Sequence, residues 1–187
     1  MIFARGKRGI IYKEGNTIIK VKNPESKAIA RIENEAEYLK LLNKHNIGPK
    51  LISFKNNKLK YKFIKGYYII DFFKKNSKKR IIKVLKNVLS QCFIIDKLKI
   101  NKLEMHHPVK HIIIDKKPVL IDFERCYKTD NPKNVTQFIQ FVISKNLRDI
   151  LLKKKIKINR KIMIRLAKEY KNDMNKNNFN KVLKIIK

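Results

Sequence analysis

Cysteines and long apolar runs are both scarce in this sequence. Its two cysteines, Cys92 and Cys126, lie in apolar contexts and match no metal-ligand spacing, which excludes a disulfide-stapled scaffold and a cysteine zinc site. No apolar run approaches the roughly 18 residues of a membrane span, and the first residues lack the apolar stretch of a signal peptide. We therefore expect buried free cysteines in a soluble, cytoplasmic protein with no membrane partner.

Acidic residues are the second scarcity. The chain carries 15 Asp and Glu against 47 Lys and Arg, a formal charge of +32. The excess is greatest from Lys145 to Lys187, where 15 basic residues stand against three acidic ones. Such a region favours contact with polyanions, most plausibly RNA. The alternative, a solvated basic face without a partner, fits the composition equally well.

The order of apolar patterns predicts an α+β fold. Alternating β-rich runs at 9–13, 17–21, 50–54 and 59–63 predict strands. A helix is expected between them, capped by Ser26 and carrying an apolar stripe at Ile29, Ile32, Ala36, Leu39 and Leu42. Beyond Ser77 the chain reads as mostly helical. We predict one domain over 1–187, with a β-rich lobe at about 1–65 and a helical lobe at about 66–187.

A short glycine-containing loop precedes the first of these predicted strands. It reads Gly6-Lys7-Arg8-Gly9. Glycines at such a position let backbone N–H groups approach phosphates closely. Glycine pairs also mark ordinary turns, so this loop alone is weak evidence for a phosphate site.

Lys20 lies on a strand that should be half buried, and a buried ammonium needs an anionic partner. Glu35, on the polar side of the following helix, can supply one. We expect only one of Lys20 and Lys22 to face inward. The alternative is that Lys20 points to solvent.

Two apolar triplets, 112–114 and 119–121, suggest a hairpin with His111 opposite Asp122 at its open end. A carboxylate there suits Mg²⁺, although histidine is an unusual partner for that ion. Asp122 can equally be a residue that only ends a strand. A zinc site built on His106, His107 and His111 is less favoured, because an extended pair of adjacent histidines points apart.

Taken in order, these features resemble the small atypical protein kinases. The similarity is to the RIO and KEOPS-complex kinases, and most of all to an archaeal family of predicted serine/threonine kinases. It spans about residues 6–141 and is carried by Gly6, Gly9, Lys20, Glu35 and the run Asp122-Phe123-Glu124. The resemblance implies a two-lobed kinase-like fold that binds ATP and Mg²⁺. It also implies that Lys20 holds the phosphates, that Glu35 pairs with it and that Asp122 binds metal.

The chain departs from that family pattern at two places. Glu104 stands where the catalytic Asp is expected, and His111 or Lys110 takes the position of a metal-binding Asn. Little chain follows Glu124 before helix resumes near Pro132, so no room remains for a long activation segment. The resemblance therefore implies a phosphotransferase or ATPase with Glu104 as proton acceptor and an unknown protein or ribonucleoprotein acceptor. The alternative is a catalytically weak scaffold that binds RNA, and a small-molecule kinase ranks last.

Overall fold

The computed structural model describes residues 2–27 and 30–187. Its helices and antiparallel strands confirm the predicted α+β class. The chain divides into two compact units, the first formed by Met1–Lys65 with Val119–Cys126 and the second by Gly66–Pro118 with Tyr127–Lys187. Both cysteines are buried, as expected, and neither forms a disulfide within the described part of the chain. None of the described helices is both long enough and apolar enough to cross a membrane.

A five-stranded sheet forms the frame of the first unit, in the order β1-β2-β3-β5-β4. Its strands are β1 (Ile2–Arg5), β2 (Gly9–Glu14), β3 (Thr17–Lys22), β4 (Leu51–Lys55) and β5 (Lys58–Lys62). Strands β2 to β5 match the predicted runs closely. Strand β1 was not predicted, because it is only four residues long and fully exposed.

The helix of the first unit begins later than the sequence suggested. Helix α1 spans Arg31–Asn43, so the prediction that Ser26 caps it was wrong. The Asn23 carbonyl accepts the backbone N–H of Ser26 at 2.9 Å, and this turn ends the strand region before a helix can start. The residue at the helix N-cap is Ala30, in a left-handed conformation with no side-chain cap. Ile29, predicted for the apolar stripe, lies outside the described residues.

Gly48 lies so close to the side chains of Leu39 and Phe123 that a larger residue would clash with them. Its φ is +85°, and a Cβ placed there would lie 2.7 Å from Leu39 Cδ1 and 2.9 Å from Phe123 Cε2. Phe123 itself is fully buried. Gly48 thus lets the ring that follows Asp122 pack against the chain beside helix α1.

The second unit is mainly helical. It contains the pair β6 (Tyr67–Tyr68) and β8 (Ile112–Ile114), the strand β7 (Ile100–Lys102), and the helices α2 (Ile69–Lys75), α3 (Lys78–Lys97), α4 (Asn134–Val142), α5 (Lys145–Lys153), α6 (Arg160–Asn172) and α7 (Lys176–Ile185). Strands β9 (Pro118–Leu120) and β10 (Cys126–Lys128) lie at the points where the chain passes between units. The two apolar triplets thus both contribute strands.

A buried polar network fixes the start of helix α4. Asp96 is 3% exposed, and its carboxylate accepts hydrogen bonds from the backbone and side chain of Asn134, from the Val135 backbone and from the Tyr170 hydroxyl. Asn134 Oδ1 in turn accepts the backbone N–H of Lys102 at 2.8 Å. The network therefore connects helices α3, α4 and α6 with the strand that leads to Glu104.

Candidate functional site

Strand β3 places one lysine inside the first unit and the next one outside. Lys20 is 6% exposed, whereas Lys22 is exposed to solvent. Lys20 Nζ donates to Glu35 Oε2 at 2.6 Å. The predicted pairing of Lys20 with Glu35 is confirmed. Residues two positions apart point to the same face of a strand, and of the two lysines Lys20 is buried while Lys22 is exposed at the end of strand β3.

The Lys20 ammonium also reaches the segment that follows strand β9. It donates to Asp122 Oδ1 at 3.1 Å and to Glu124 Oε2 at 3.3 Å. Burial by itself would lower the pKa of Lys20, but the three carboxylates, Glu35 foremost, raise that pKa well above its ordinary value. Lys20 therefore stays charged and serves as the common cation of three acidic side chains.

Glu35 is bound from two directions. One oxygen accepts from Lys20, and the other accepts the backbone N–H of Phe123 at 3.3 Å. Burial raises the pKa of Glu35, the Lys20 ammonium opposes this effect, and the Asp122 and Glu124 charges add to it. Helix α1 thereby positions both the lysine and the backbone of the Asp-Phe-Glu segment.

The backbone at Asp122 adopts a conformation that is uncommon for residues other than glycine. Its φ is +64°, in the left-handed region where Asp is tolerated better than most side chains. About a third of its side chain is exposed. Outliers of this kind cluster at functional sites, and this one turns the carboxylate toward Lys20 while Phe123 enters the core.

The glycine-containing loop joins the same cluster through Arg8. Arg8 Nη1 donates to Glu124 Oε1 at 3.0 Å, so the Glu124 carboxylate bridges Arg8 and Lys20. Asn23, the residue directly after strand β3, holds the loop in place. Its side-chain amide donates to the Gly6 carbonyl, and its backbone N–H donates to the Arg8 carbonyl. Within the loop, Gly9 is buried and Lys7 is exposed.

Sequence reasoning missed the residues that hold the Asp-Phe-Glu segment in place. Asn34 donates to the carbonyls of Glu124 and Cys126, both at 3.0 Å. Arg31 donates to the Glu124 carbonyl at 3.3 Å. Arg31 lies four positions before Glu35 and Asn34 directly before it, so the run of polar residues at the start of helix α1 was the available signal.

Three carboxylates, those of Glu35, Asp122 and Glu124, meet in this cluster around the Lys20 ammonium. One ligand oxygen from each of these acids lies within 4.8 Å of the others, which makes them a group that can hold a metal ion. Carboxylate oxygens are the donors that Mg²⁺ prefers. The three acids thus offer a set of oxygen donors for a cation.

Glu104 and His111 belong to the second unit. Glu104 lies in a 3₁₀ turn (Leu103–His106) and is 8% exposed. Its Oε2 accepts from Lys102 Nζ at 2.9 Å, and Lys102 is fully buried. The roles of Glu104 as proton acceptor and of His111 as metal ligand stay predictions, and His111 is outside the acidic group that can hold a metal.

Comparisons with known proteins assign this chain to no family. No model of a known protein family matches it, and no curated protein is significantly similar to it. Its function is therefore inferred from the chemistry of the cluster and from the kinase resemblance of the residues that form it.

Proposed function

We propose that the chain is an ATP- and Mg²⁺-dependent phosphotransferase with a two-lobed fold of the protein-kinase type. The observation that carries the proposal is the position of Lys20, which contacts Glu35 on a helix and Asp122 after a strand. In kinases a strand lysine, a helix glutamate and a metal-binding aspartate have these partners. A purely structural lysine needs one buried carboxylate rather than three.

Lys20 and Arg8 are the groups that we assign to the phosphates. In the structure their shared ligand is the Glu124 carboxylate, with Lys20 on one oxygen and Arg8 on the other. A phosphate is also an anion with several acceptor oxygens, and it suits the same two donors. Glu124 therefore competes with the nucleotide, and binding of ATP requires that this side chain release at least one of the two cations.

Asp122 and Glu124 are the residues that we assign to Mg²⁺, which would bridge the phosphate oxygens and offset their charge. Both carboxylates belong to the acidic group described above. A Glu in place of the glycine of the kinase motif adds one negative charge beside the phosphates. For that reason we expect nucleotide binding to depend more strongly on the divalent cation here than in a site with glycine.

Glu104 is the residue that we assign to the acceptor hydroxyl. A carboxylate can accept the proton and orient the oxygen, as Asp does in kinases. In the structure Lys102 Nζ donates to Glu104 Oε2 at 2.9 Å. We propose a serine or threonine hydroxyl as the acceptor class, and ATP hydrolysis would use the same groups with water in its place.

The direct test is the thermal shift that ATP produces with and without Mg²⁺. Ligand at about 100 times its dissociation constant stabilises a folded protein by roughly 2.7 kcal/mol. We expect a Mg²⁺-dependent shift in the native chain and its loss in Asp122→Asn. Asp130→Asn is the matched control, because Asp130 pairs with Lys99 on the surface and should leave the shift unchanged. No shift in the native chain would overturn the ATP site.

A further inference from the structure

A basic groove crosses the helical part of the second unit. Two adjoining cavities of about 610 and 330 Å³ share Gln140, Ile143 and Ile164, so they form one continuous depression. Its walls come from helix α4, the first turns of helix α5 and one face of helix α6. Six cations line it: Lys133, Lys145, Arg148, Arg160, Lys168 and Lys171. No Asp or Glu belongs to the lining of either cavity.

The cations of this groove are not neutralised within the described part of the chain. None of the six forms an ion pair with a carboxylate among the described residues. Lys171 donates instead to the Pro132 carbonyl at 2.7 Å, an acceptor without net charge. Partial burial lowers the pKa of Lys171, the Asp96 carboxylate opposes this effect, and the neighbouring Lys133 ammonium adds to it. Like charges thus accumulate along the groove, and a bound anion would relieve their repulsion.

The floor of the groove is apolar with polar side chains between. Ile143 and Ile164 are half buried, and Gln140 is exposed beside them. Ser144 and Thr136 add hydroxyl groups. Such a floor offers apolar contact to the faces of sugars and bases, together with donors and acceptors for a ribose 2′-hydroxyl.

We propose that this groove binds single-stranded RNA, with the six cations on its phosphates. The argument for RNA over an acidic peptide is the combination of cations with the groove floor. Ile143, Ile164, Ser144 and Thr136 lie between the cations, and they offer contacts to sugars and 2′-hydroxyls that a peptide of acidic residues would not use. The proposal uses no residue of the Lys20 cluster, so it stands or falls independently of ATP binding.

The test is the binding of a fluorescein-labelled 20-nucleotide oligo(U), followed by anisotropy at several KCl concentrations. Arg148 and Arg160 are exposed, so the variant Arg148→Glu/Arg160→Glu should fold, and its melting curve checks this. We expect its affinity to fall at least about tenfold. Each lost phosphate contact should flatten the slope of log K against log [salt] by about 0.7.

The matched control reverses two exposed lysines outside the groove lining, Lys83→Glu/Lys184→Glu, and makes the same change in net charge. We expect this control to weaken binding less than about threefold. Equal weakening by both variants would overturn the groove as the site. If the groove variant is unfolded, Arg148→Gln/Arg160→Gln gives the same comparison with a smaller expected loss.

Two competitors decide the class of ligand. A 20-residue poly-glutamate should displace the labelled oligo(U) at least about tenfold less well than unlabelled oligo(U). Oligo(dT) of equal length should also compete less well, because it lacks the 2′-hydroxyl. Equal competition by poly-glutamate would overturn RNA in favour of an acidic peptide. Equal competition by oligo(dT) would overturn RNA in favour of single strands in general, and no binding of oligo(U) would sink the proposal.

Discussion

Lys20 Nζ and Glu35 Oε2 lie 2.6 Å apart, and both side chains are more than nine-tenths buried. The pair joins the middle of a sheet to helix α1 across 15 residues of sequence. Removal of water from two charges costs several kcal/mol for each of them, and only close geometry with further hydrogen bonds offsets this. Glu35 has such a bond from the Phe123 backbone, so the pair also fixes the Asp-Phe-Glu segment.

Replacement of Lys20 should destabilise the first unit strongly. Lys20→Met leaves Glu35 buried without its cation, and such a loss costs about 3–5 kcal/mol. The double variant Lys20→Met/Glu35→Gln should lose clearly less than the sum of the two single variants, because the stranded charge is gone. Urea unfolding followed by circular dichroism measures both losses. Lys22→Met, at the exposed end of the same strand, is the control and should stay within about 0.5 kcal/mol of the native chain.

Glu124→Gln should bind ATP more tightly than the native chain when Mg²⁺ is absent. The substitution removes the carboxylate that bridges Arg8 and Lys20, and with it the competitor for the phosphates. We expect a gain of about tenfold, or roughly 1.4 kcal/mol, measured by titration calorimetry in EDTA.

Addition of Mg²⁺ should raise the ATP affinity of Glu124→Gln less than that of the native chain, since the variant lacks one of the carboxylates assigned to the ion. Glu25→Gln is the control, because Glu25 pairs with Arg5 on an exposed edge and should change neither value. If the native chain binds ATP and Glu124→Gln binds it equally well without Mg²⁺, Glu124 does not compete with the nucleotide. If neither binds ATP, the nucleotide site itself is absent.

The pairing of Lys20 with Glu35 could be predicted because each link in it is local. The β-rich run predicted a half-buried strand for Lys20, and the helix that follows offered Glu35 as its anionic partner. The predicted start of helix α1 was wrong because serine at position 26 is a residue type that commonly caps helices. In the structure the backbone N–H of Ser26 instead donates to the Asn23 carbonyl and closes a turn. Local preferences cannot rank such competing turns.

The bridge from Arg8 to Glu124 was beyond the reach of sequence patterns. The two residues are 116 positions apart, and nothing periodic connects them. The same holds for Asn34, whose two bonds to the carbonyls of Glu124 and Cys126 exist only once the segment is folded against helix α1. Contacts of this kind depend on tertiary packing rather than on spacing within one element.

Asp96→Asn should reveal a pH-dependent cost in the second unit. Burial raises the pKa of Asp96 more than the hydrogen bonds from Asn134, Val135 and Tyr170 lower it. A carboxyl with a raised folded pKa stabilises the fold fully below its ordinary value of about 3.9, and this contribution is lost as pH rises through the folded pKa. The unfolding free energy of the native chain minus that of Asp96→Asn should therefore fall as pH rises above about 4.

Asp130→Asn is the control for this prediction, because the pKa of Asp130 is shifted in the opposite direction to that of Asp96. The hydrogen bond and the charge of Lys99 lower the pKa of Asp130, so its contribution is present above its ordinary pKa and is lost as pH falls through the folded value. The difference between the native chain and Asp130→Asn should rise between about pH 3 and 5. Parallel curves for both variants in urea titrations at fixed pH would contradict the assignment of a raised pKa to Asp96.

Gly48→Ala should be far more damaging than the same change at Gly15. Both glycines have a positive φ, which costs a residue with a Cβ about 1–2 kcal/mol. At Gly15 nothing lies within 4 Å of the added atom, whereas at Gly48 it meets Leu39 and Phe123 at less than 3 Å. Such overpacking adds about 1–3 kcal/mol, so urea unfolding should show a loss of about 3 kcal/mol at Gly48.

Because Phe123 would shift and carry Asp122 with it, the Mg²⁺-dependent thermal shift produced by ATP should also weaken in Gly48→Ala and persist in Gly15→Ala. Equal losses of stability at the two positions would show that Phe123 is not held against Gly48.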